Sequence, residues 1–397
     1  MRGMSPLRVG VIFGGRSGEH EVSLASAASV IAALERRGHA VVPIGIARDG
    51  RWVVGGDPLR ALAVQARATL PQNGATGAVK KALADRAGQD RGERAAAPPD
   101  CPPPAAAERI AQAKPALERR EPAGGMPAEL RAGLDVVVLM LHGPYGEDGT
   151  IQGLLELADV PYVGAGVLAS AVGMDKATMK AVFQAHGLPI VKYTVVLRHE
   201  WREQPAAVAR RVREVTGFPC FVKPSNLGSS VGISKVRKAS ELARALDEAA
   251  RHDRKIVVER AVKKPREVEV SVLGNDAPQA SLPGEITYDA EWYDYATKYT
   301  EGEATVTVPA PIGARLTARV RDIAIAAFRA VDCAGMARVD FFIEDGRVIL
   351  NEINTIPGFT ATSAYARLWE ATGMPYEDLV ERLVALGLER YRDTRST

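Results

Sequence analysis

Residues Arg338 to Ser363 read R-V-D-F-F-I-E-D-G-R-V-I-L-N-E-I-N-T-I-P-G-F-T-A-T-S, two strand-like stretches on either side of Asp345-Gly346. Side chains alternate faces along a strand, so residues two apart share one. Arg338 and Asp340 therefore share a face, as do Glu352 and Asn354. Brought together on one hairpin, they make an all-oxygen cage with a guanidinium beside it. Carboxylate and amide oxygens, without thiolate or imidazole, suit Mg²⁺, which keeps water and phosphate oxygens as its remaining ligands. On this reading the chain uses ATP. The turn decides whether the two faces coincide. A two-residue turn would pair Asp340 with Asn351 and send Glu352 to the opposite face. The pattern therefore predicts an odd-numbered loop, of three residues with Gly346 left-handed in a bulge, which returns Asp340 and Glu352 to one side. An exposed polar hairpin face is the plainer alternative.

With 397 residues, 46% hydrophobic and 25% charged, the chain has room for two or three packed units. Its longest apolar runs, such as Leu134 to Leu141, are too short to span a bilayer, and no basic region precedes a long apolar core at the N-terminus. A cytoplasmic protein is expected. A net charge of +3 points neither to nucleic acid nor to an acidic membrane surface. Cys101, Cys220 and Cys333 lie far apart without C-x-x-C spacing, which argues against a disulfide framework or a zinc site.

Leu7 to Phe13 is an apolar run ending in Gly14-Gly15, followed by an Ala-rich helical pattern to Leu34 and a stop at Gly38: the opening of an α/β unit. Ala40 to Ile46 and Leu134 to Leu141 read as further strands, the latter leading into His142 to Thr150 and a helix. Ligands gather outside the C-terminal ends of such strands, where Gly14 to Glu19 and His142 to Asp148 fall. From about Ala61 to Arg131 the composition turns to Ala, Pro, Gln, Arg and Gly, which reads as a surface insertion, with Ala105 to Glu118 possible as helix. A helix beginning at Met174 should close at Gly187, and Phe218 to Pro224 should be a strand carrying Lys223. Glu241 to Ala250 is amphipathic and Ile256 to Glu259 a strand. Glu267 to Leu273 alternates polar residues with valine, so one face should be buried and the other should look into a site. Tyr288 to Thr307 resembles a long functional loop, and a helix from Pro375 to Leu388 closes the fold.

Lys223 to Ser234, K-P-S-N-L-G-S-S-V-G-I-S, offers a cation, hydroxyls and glycines that let backbone N–H groups approach an anion. No Walker sequence is present. The same stretch contains G-x-S-x-G at Gly228 to Gly232, the nucleophile elbow of α/β-hydrolases, for which His252 is the only downstream histidine. Gly14 to Gly18 lacks the third glycine of a dinucleotide fingerprint. Glu19 either holds a substrate ammonium or merely favours the helix N-terminus. A lone histidine such as His142 is more often structural than catalytic.

Gly14–Ser23 (G-G-R-S-G-E-H-E-V-S), Leu141–Gly153 (L-H-G-P-Y-G-E-D-G-T-I-Q-G), Gly173–Lys176 (G-M-D-K), Val222–Val236 (V-K-P-S-N-L-G-S-S-V-G-I-S-K-V), Tyr293–Tyr299 (Y-D-Y-A-T-K-Y) and Asn351–Thr360 (N-E-I-N-T-I-P-G-F-T) occur in that order. Together they resemble the D-alanine:D-alanine ligase family, ATP-grasp enzymes of peptidoglycan precursor synthesis. The resemblance implies an α/β fold: a Rossmann-like parallel-sheet domain (1–165, with the insertion at about 61–131) and two ATP-grasp subdomains (166–259 and 260–397) that clamp ATP. It implies that Lys176, Lys223, Ser229, Ser230 and Lys298 contact the nucleotide, with Glu259 at the adenine edge and Glu267 at the ribose. Asp340, Glu352 and Asn354 would hold two Mg²⁺ (or Mn²⁺). Arg338 and the Gly358 N–H would stabilise transition-state charge, with Ser363 also at the substrate. Glu19 would bind the first D-alanine's ammonium near His142, and Glu19, Ser229 and Tyr299 would link the domains, Lys298 and Tyr299 lying on a closing lid. Tyr299 goes with D-alanine rather than D-lactate as second substrate. Ala364 and Ala366 depart from the family pattern and imply a roomier second-substrate pocket; the Ala/Pro insertion is the other departure. The expected partners are small molecules, D-alanine and ATP, with the chain a homodimer.

Overall fold

The structure is a computed structural model and describes residues 5–69, 130, 133–228, 231–288 and 304–396. Ser229, Ser230, Lys298, Tyr299, Cys101 and the anticipated helix at 105–118 lie outside the described residues.

The chain opens as a four-stranded sheet. Strand β1 (Arg8–Gly14) runs parallel to β2 (Ala40–Ile46) and β4 (Val136–Met140), and β3 (Trp52–Val53) adds antiparallel to β2. Parallel strands are covered on both faces, which is why β1 and β4 read as near-continuous apolar runs. At the end of β1, Gly14 has φ +94, and a Cβ there would lie 2.2 Å from the Ile46 carbonyl oxygen. Only glycine lets the chain leave the sheet so close to β2, and this turn delivers Glu19 to the mouth of α1 (His20–Arg36). Helix α2 (Pro58–Thr69) corrects the limits of the low-complexity stretch. Its first residues pack Leu62, Ala63 and Ala66 into the core, so the insertion does not begin at Ala61.

After α3 (Thr150–Leu157), helices α4 (Val167–Met174) and α5 (Lys176–Ala185) are separated by Asp175, whose side chain caps α5 by accepting from the Thr178 N–H at 2.9 Å. A second sheet, wholly antiparallel, has the order β5-β8-β6-β7, with β5 Tyr193–Leu197, β6 Cys220–Pro224, β7 Ser234–Val236 and β8 Lys255–Arg260. Helices α6 (Arg198–Glu203), α7 (Pro205–Val215) and α8 (Leu242–His252) accompany it, and the buried faces of α7 and α8 share its core through Val208, Val212, Leu242 and Leu246.

The third sheet, also antiparallel, follows β12-β11-β9-β13-β14, with β10 paired to β9. Its strands are β9 Arg266–Gly274, β10 Gln279–Ala280, β11 Gly284–Tyr288, β12 Ala304–Thr307, β13 Gly335–Glu344 and β14 Arg347–Asn354. Helix α9 (Ala314–Ala330) covers one face together with α4 and α5, through Ala169, Met179 and Phe183. The polar residues of β9 do not line an open face as their alternation predicts. Glu269 and Ser271 are both buried, Glu269 against Arg338 of β13 at 3.1 Å, and Ser271 beneath α10 (Ala364–Ala371), donating to the Tyr365 carbonyl at 3.3 Å. Only the Glu267 end remains near solvent. The last helix, α11 (Tyr376–Thr394), runs further than its predicted end at Leu388 and packs back on the first sheet's helices.

Candidate active site

The β13–β14 hairpin carries the acidic face. Asp345 (φ +49) and Gly346 (φ +74) form a two-residue left-handed turn, not the odd-numbered loop the pattern predicts. Pairing runs regularly from Glu344↔Arg347 to Phe341↔Leu350, then shifts by one: Asp340 stands opposite Glu352 and Arg338 opposite Asn354. The extra residue is Asn351, a bulge within β14 that does what the longer turn was invoked to do. Arg338 grips Asp340 with two hydrogen bonds of 2.8 Å, and Asn354 Nδ2 donates to Asp340 Oδ2 at 3.0 Å. Burial works against the guanidinium, but Asp340 and Glu269 outweigh it and raise its pKa well above the ordinary arginine value. Two facing carboxylates and an amide, with a cation already neutralising part of the charge, fit a hard divalent ion that brings water and phosphate oxygens of its own.

Facing this hairpin are three lysines from two elements, α5 and β6. Lys176, at the start of α5, places Nζ 3.7 Å from Glu352 Oε2 and donates to the Leu227 carbonyl at 2.7 Å. Lys223, on β6, shares a face with the residue that pairs with Glu259 on β8, and donates to Glu259 Oε2 at 2.8 Å. Lys180 meets the other oxygen of Glu259 at 3.1 Å. Burial would raise the Glu259 pKa, but the two ammonium groups hold it down to about 2. Lys223, despite burial, is pushed up by Glu259 and Glu352, whereas burial dominates at Lys180 and lowers it. Because its folded pKa is depressed, Glu259 contributes stability that is fully present above about pH 4.5 and is lost as pH falls towards 2. Glu259→Gln leaves two buried ammonium groups short of a counter-charge and should cost about 3–5 kcal/mol at pH 7. Urea melts at pH 7 and pH 3 check this. A gap between variant and wild type that fails to narrow at pH 3 would contradict it.

On the first domain's side, the Glu19 carboxylate is wedged between two glycines. A Cβ would lie 3.3 Å from Glu19 Oε2 at Gly143 and 3.2 Å from it at Gly228. The phosphate-grip loop and the first domain thus meet at Glu19, immediately before Ser229. His142 is buried, and its Nδ1 lies 2.9 Å from the Ile356 carbonyl, so that nitrogen carries the proton. Burial pulls its pKa down, favouring the neutral ring. Ser26 Oγ, 3.5 Å from His142 Nε2, accepts from the Phe359 N–H at 3.1 Å. Together these bonds fix the loop that presents Gly358, next to Val22 of α1. Ser363 ends that loop, its hydroxyl donating to the Thr360 carbonyl at 2.8 Å. Glu267 accepts from the Tyr288 hydroxyl.

Two site residues, Lys180 and Glu147, escaped sequence reasoning, while Glu269 belongs to the polar strand face that the alternation marks as looking into a site. Lys180 was legible as lying one helical turn from Lys176 on the same face. Glu269 shares a strand face with Glu267. Glu147, in the His142 motif, accepts from the Gly143 N–H at 2.6 Å, and burial together with Glu19 raises its pKa to about 8. The hydrolase alternative is excluded by topology: the Gly228–Gly232 loop joins antiparallel β6 and β7, not a strand to a helix as a nucleophile elbow requires. Ala366 is buried in the core formed with Phe359, Tyr365 and Trp369.

A cleft between two antiparallel sheets, lysines on one side and an oxygen-lined hairpin on the other, defines the ATP-grasp class of ligases. Residues 8–165 match the family model of the D-ala D-ala ligase N-terminus and residues 182–385 that of the C-terminus. The D-alanine–D-alanine ligase of Heliobacterium modesticaldum is 47% identical over 97% of this chain and 95% of its own length; that of Deinococcus radiodurans is 46% identical over 96% and 98%. Among solved structures, the D-alanine-D-alanine ligase of Coxiella burnetii superposes with a TM-score of 0.73 at 34% identity, covering 99% of this chain and 97% of that one. VanG D-Ala:D-Ser ligase of Enterococcus faecalis does so with a TM-score of 0.73 at 30% identity, covering 96% and 100%. The chain belongs to the D-alanine–D-alanine ligase family.

Proposed function

We infer that this chain joins two D-alanines into D-alanyl-D-alanine at the expense of ATP, for peptidoglycan precursor synthesis. The observation that carries the reading is the Asp340–Glu352 pair with Arg338 beside it, set against Lys176 and Lys223 in a chain that matches the family over nearly its whole length.

A carboxylate does not condense with an amine unaided. The carboxylate of the first D-alanine, its ammonium held by Glu19, attacks the γ-phosphorus; an oxygen–phosphorus bond forms and ADP leaves, giving D-alanyl phosphate. Lys176 and Lys223 draw negative charge off the transferring group and hold it in line. Mg²⁺ (or Mn²⁺) held by Asp340, Glu352 and Asn354 would neutralise phosphate charge there. The deprotonated amine of the second D-alanine then attacks the acyl carbon, phosphate departs and the amide remains. Arg338 and the Gly358 N–H face the oxyanion, an arrangement worth about 3 kcal/mol per donor. His142 acts on this step through the loop it anchors at Ile356. Glu259 and Glu267 take the base and sugar of the nucleotide, Ser229 and Ser230 its phosphates, Lys298 and Tyr299 close over the acyl phosphate, and Ser363 holds the second substrate. The catalytic units are 1–165, 166–259 and 260–397, in a cytoplasmic homodimer.

The similarity to VanG D-Ala:D-Ser ligase makes the acceptor the open choice. Incubation with ATP, Mg²⁺ and D-alanine, alone or with D-serine or D-lactate, should release phosphate with D-alanine alone and yield the D-alanine dipeptide. Phosphate appearing only when D-lactate or D-serine is added would overturn the assignment.

A further inference from the structure

We propose that Lys180 is a positioning residue of the metal–nucleotide site: its buried ammonium, clamped between Glu259 and the Asn351 carbonyl, holds the β14 bulge that sets Glu352 across from Asp340. The proposal rests on the ligase reading above and deepens it.

Lys180 is among the largest fully buried side chains of the molecule, 1% exposed. Burying an ammonium is expensive, and a methionine would fill the same space without that cost, so packing does not account for it. Nζ has two partners: Glu259 Oε1 at 3.1 Å and the carbonyl oxygen of Asn351 at 3.2 Å. Asn351 is the residue of β14 that has no counterpart across the hairpin. On the next residue, Glu352, depends the whole acidic face. Lys180 therefore tethers the metal-binding hairpin to α5, the helix whose first residue, Lys176, approaches Glu352. Its second effect is on charge. Glu259 shared between two ammonium groups leaves Lys223 with part of its positive charge for an anion; with Lys180 gone, Glu259 and Lys223 would cancel.

Groups that orient a metal's ligands typically change metal affinity about 10–100-fold when removed. Lys180→Met should therefore weaken binding of ADP in the presence of Mg²⁺ by about tenfold or more, with a distinctly smaller loss for ADP in EDTA, both read by isothermal titration. Lys180→Gln, which keeps a donor for the Asn351 carbonyl, should recover part of the metal-dependent increment. Equal losses with and without Mg²⁺, or no loss, would refute positioning. Unfolding of both variants in a thermal melt would make the lysine a requirement of the core and equally refute it. A wild-type chain indifferent to Mg·ADP strikes the ligase reading itself, and the proposal falls with it.

Discussion

Asp340→Asn should abolish D-alanine-dependent phosphate release, by about a thousandfold or more in kcat, while the protein remains folded. The substitution keeps the shape of the side chain and one oxygen but removes a charge from a face where Glu352 and Asn354 alone would then have to hold a divalent ion. Arg338, which has Glu269 at 3.1 Å as a second partner, retains a counter-ion, so the strand should not lose its place. Phosphate release at saturating Mg²⁺, compared with a thermal melt, separates the two effects. Activity within tenfold of wild type would mean that the hairpin does not carry the metal.

Replacing Arg338 strikes stability and chemistry together. In Arg338→Met the carboxylates of Asp340 and Glu269 lose the guanidinium that both of them contact in a largely buried site. Stranding buried charge in this way costs about 3–5 kcal/mol, and loss of an oxyanion donor lowers kcat about 10²–10³-fold. Arg338→Lys should recover stability better than activity, since an ammonium supplies the charge but not the two parallel bonds of 2.8 Å to Asp340. Urea melts and steady-state kinetics on both variants test this. A lysine variant with full kcat would rule out the planar fork as the working part.

The legible parts of the molecule were those whose cause is local. Alternation along 338–354 put the four site residues of the hairpin on shared faces, and the glycines at 14 and 15 announced a strand turning into a helix. The bulge was not legible, because nothing in L-N-E marks Asn351 as unpaired; it is held from outside, by a lysine far away in the chain. Lys180 shares a helix face with Lys176 by its spacing, but its burial is not local: it depends on Glu259, which lies on another sheet. Composition misled at Ala61 to Ala66, where small residues serve a close-packed helix and not a loose tail. The polar side of β9 reaches the site through Glu269, against Arg338, but its Ser271 end is sealed beneath α10, which no local pattern marks.

The apolar surface laid down by the first residues of the chain is finished by its last. Tyr365, Trp369, Leu379, Leu383 and Leu386 complete the same core as Val9, Leu24 and Leu34, with Arg36 and Arg37 tied to Glu377 and Asp378 at its rim. During synthesis, then, the first sheet emerges long before its covering helices, and must wait with one flank bare until residues 364–386 have followed it. A chain stopped before 364 leaves that flank open to other molecules, which makes late truncation, well away from any reacting atom, a route to aggregation.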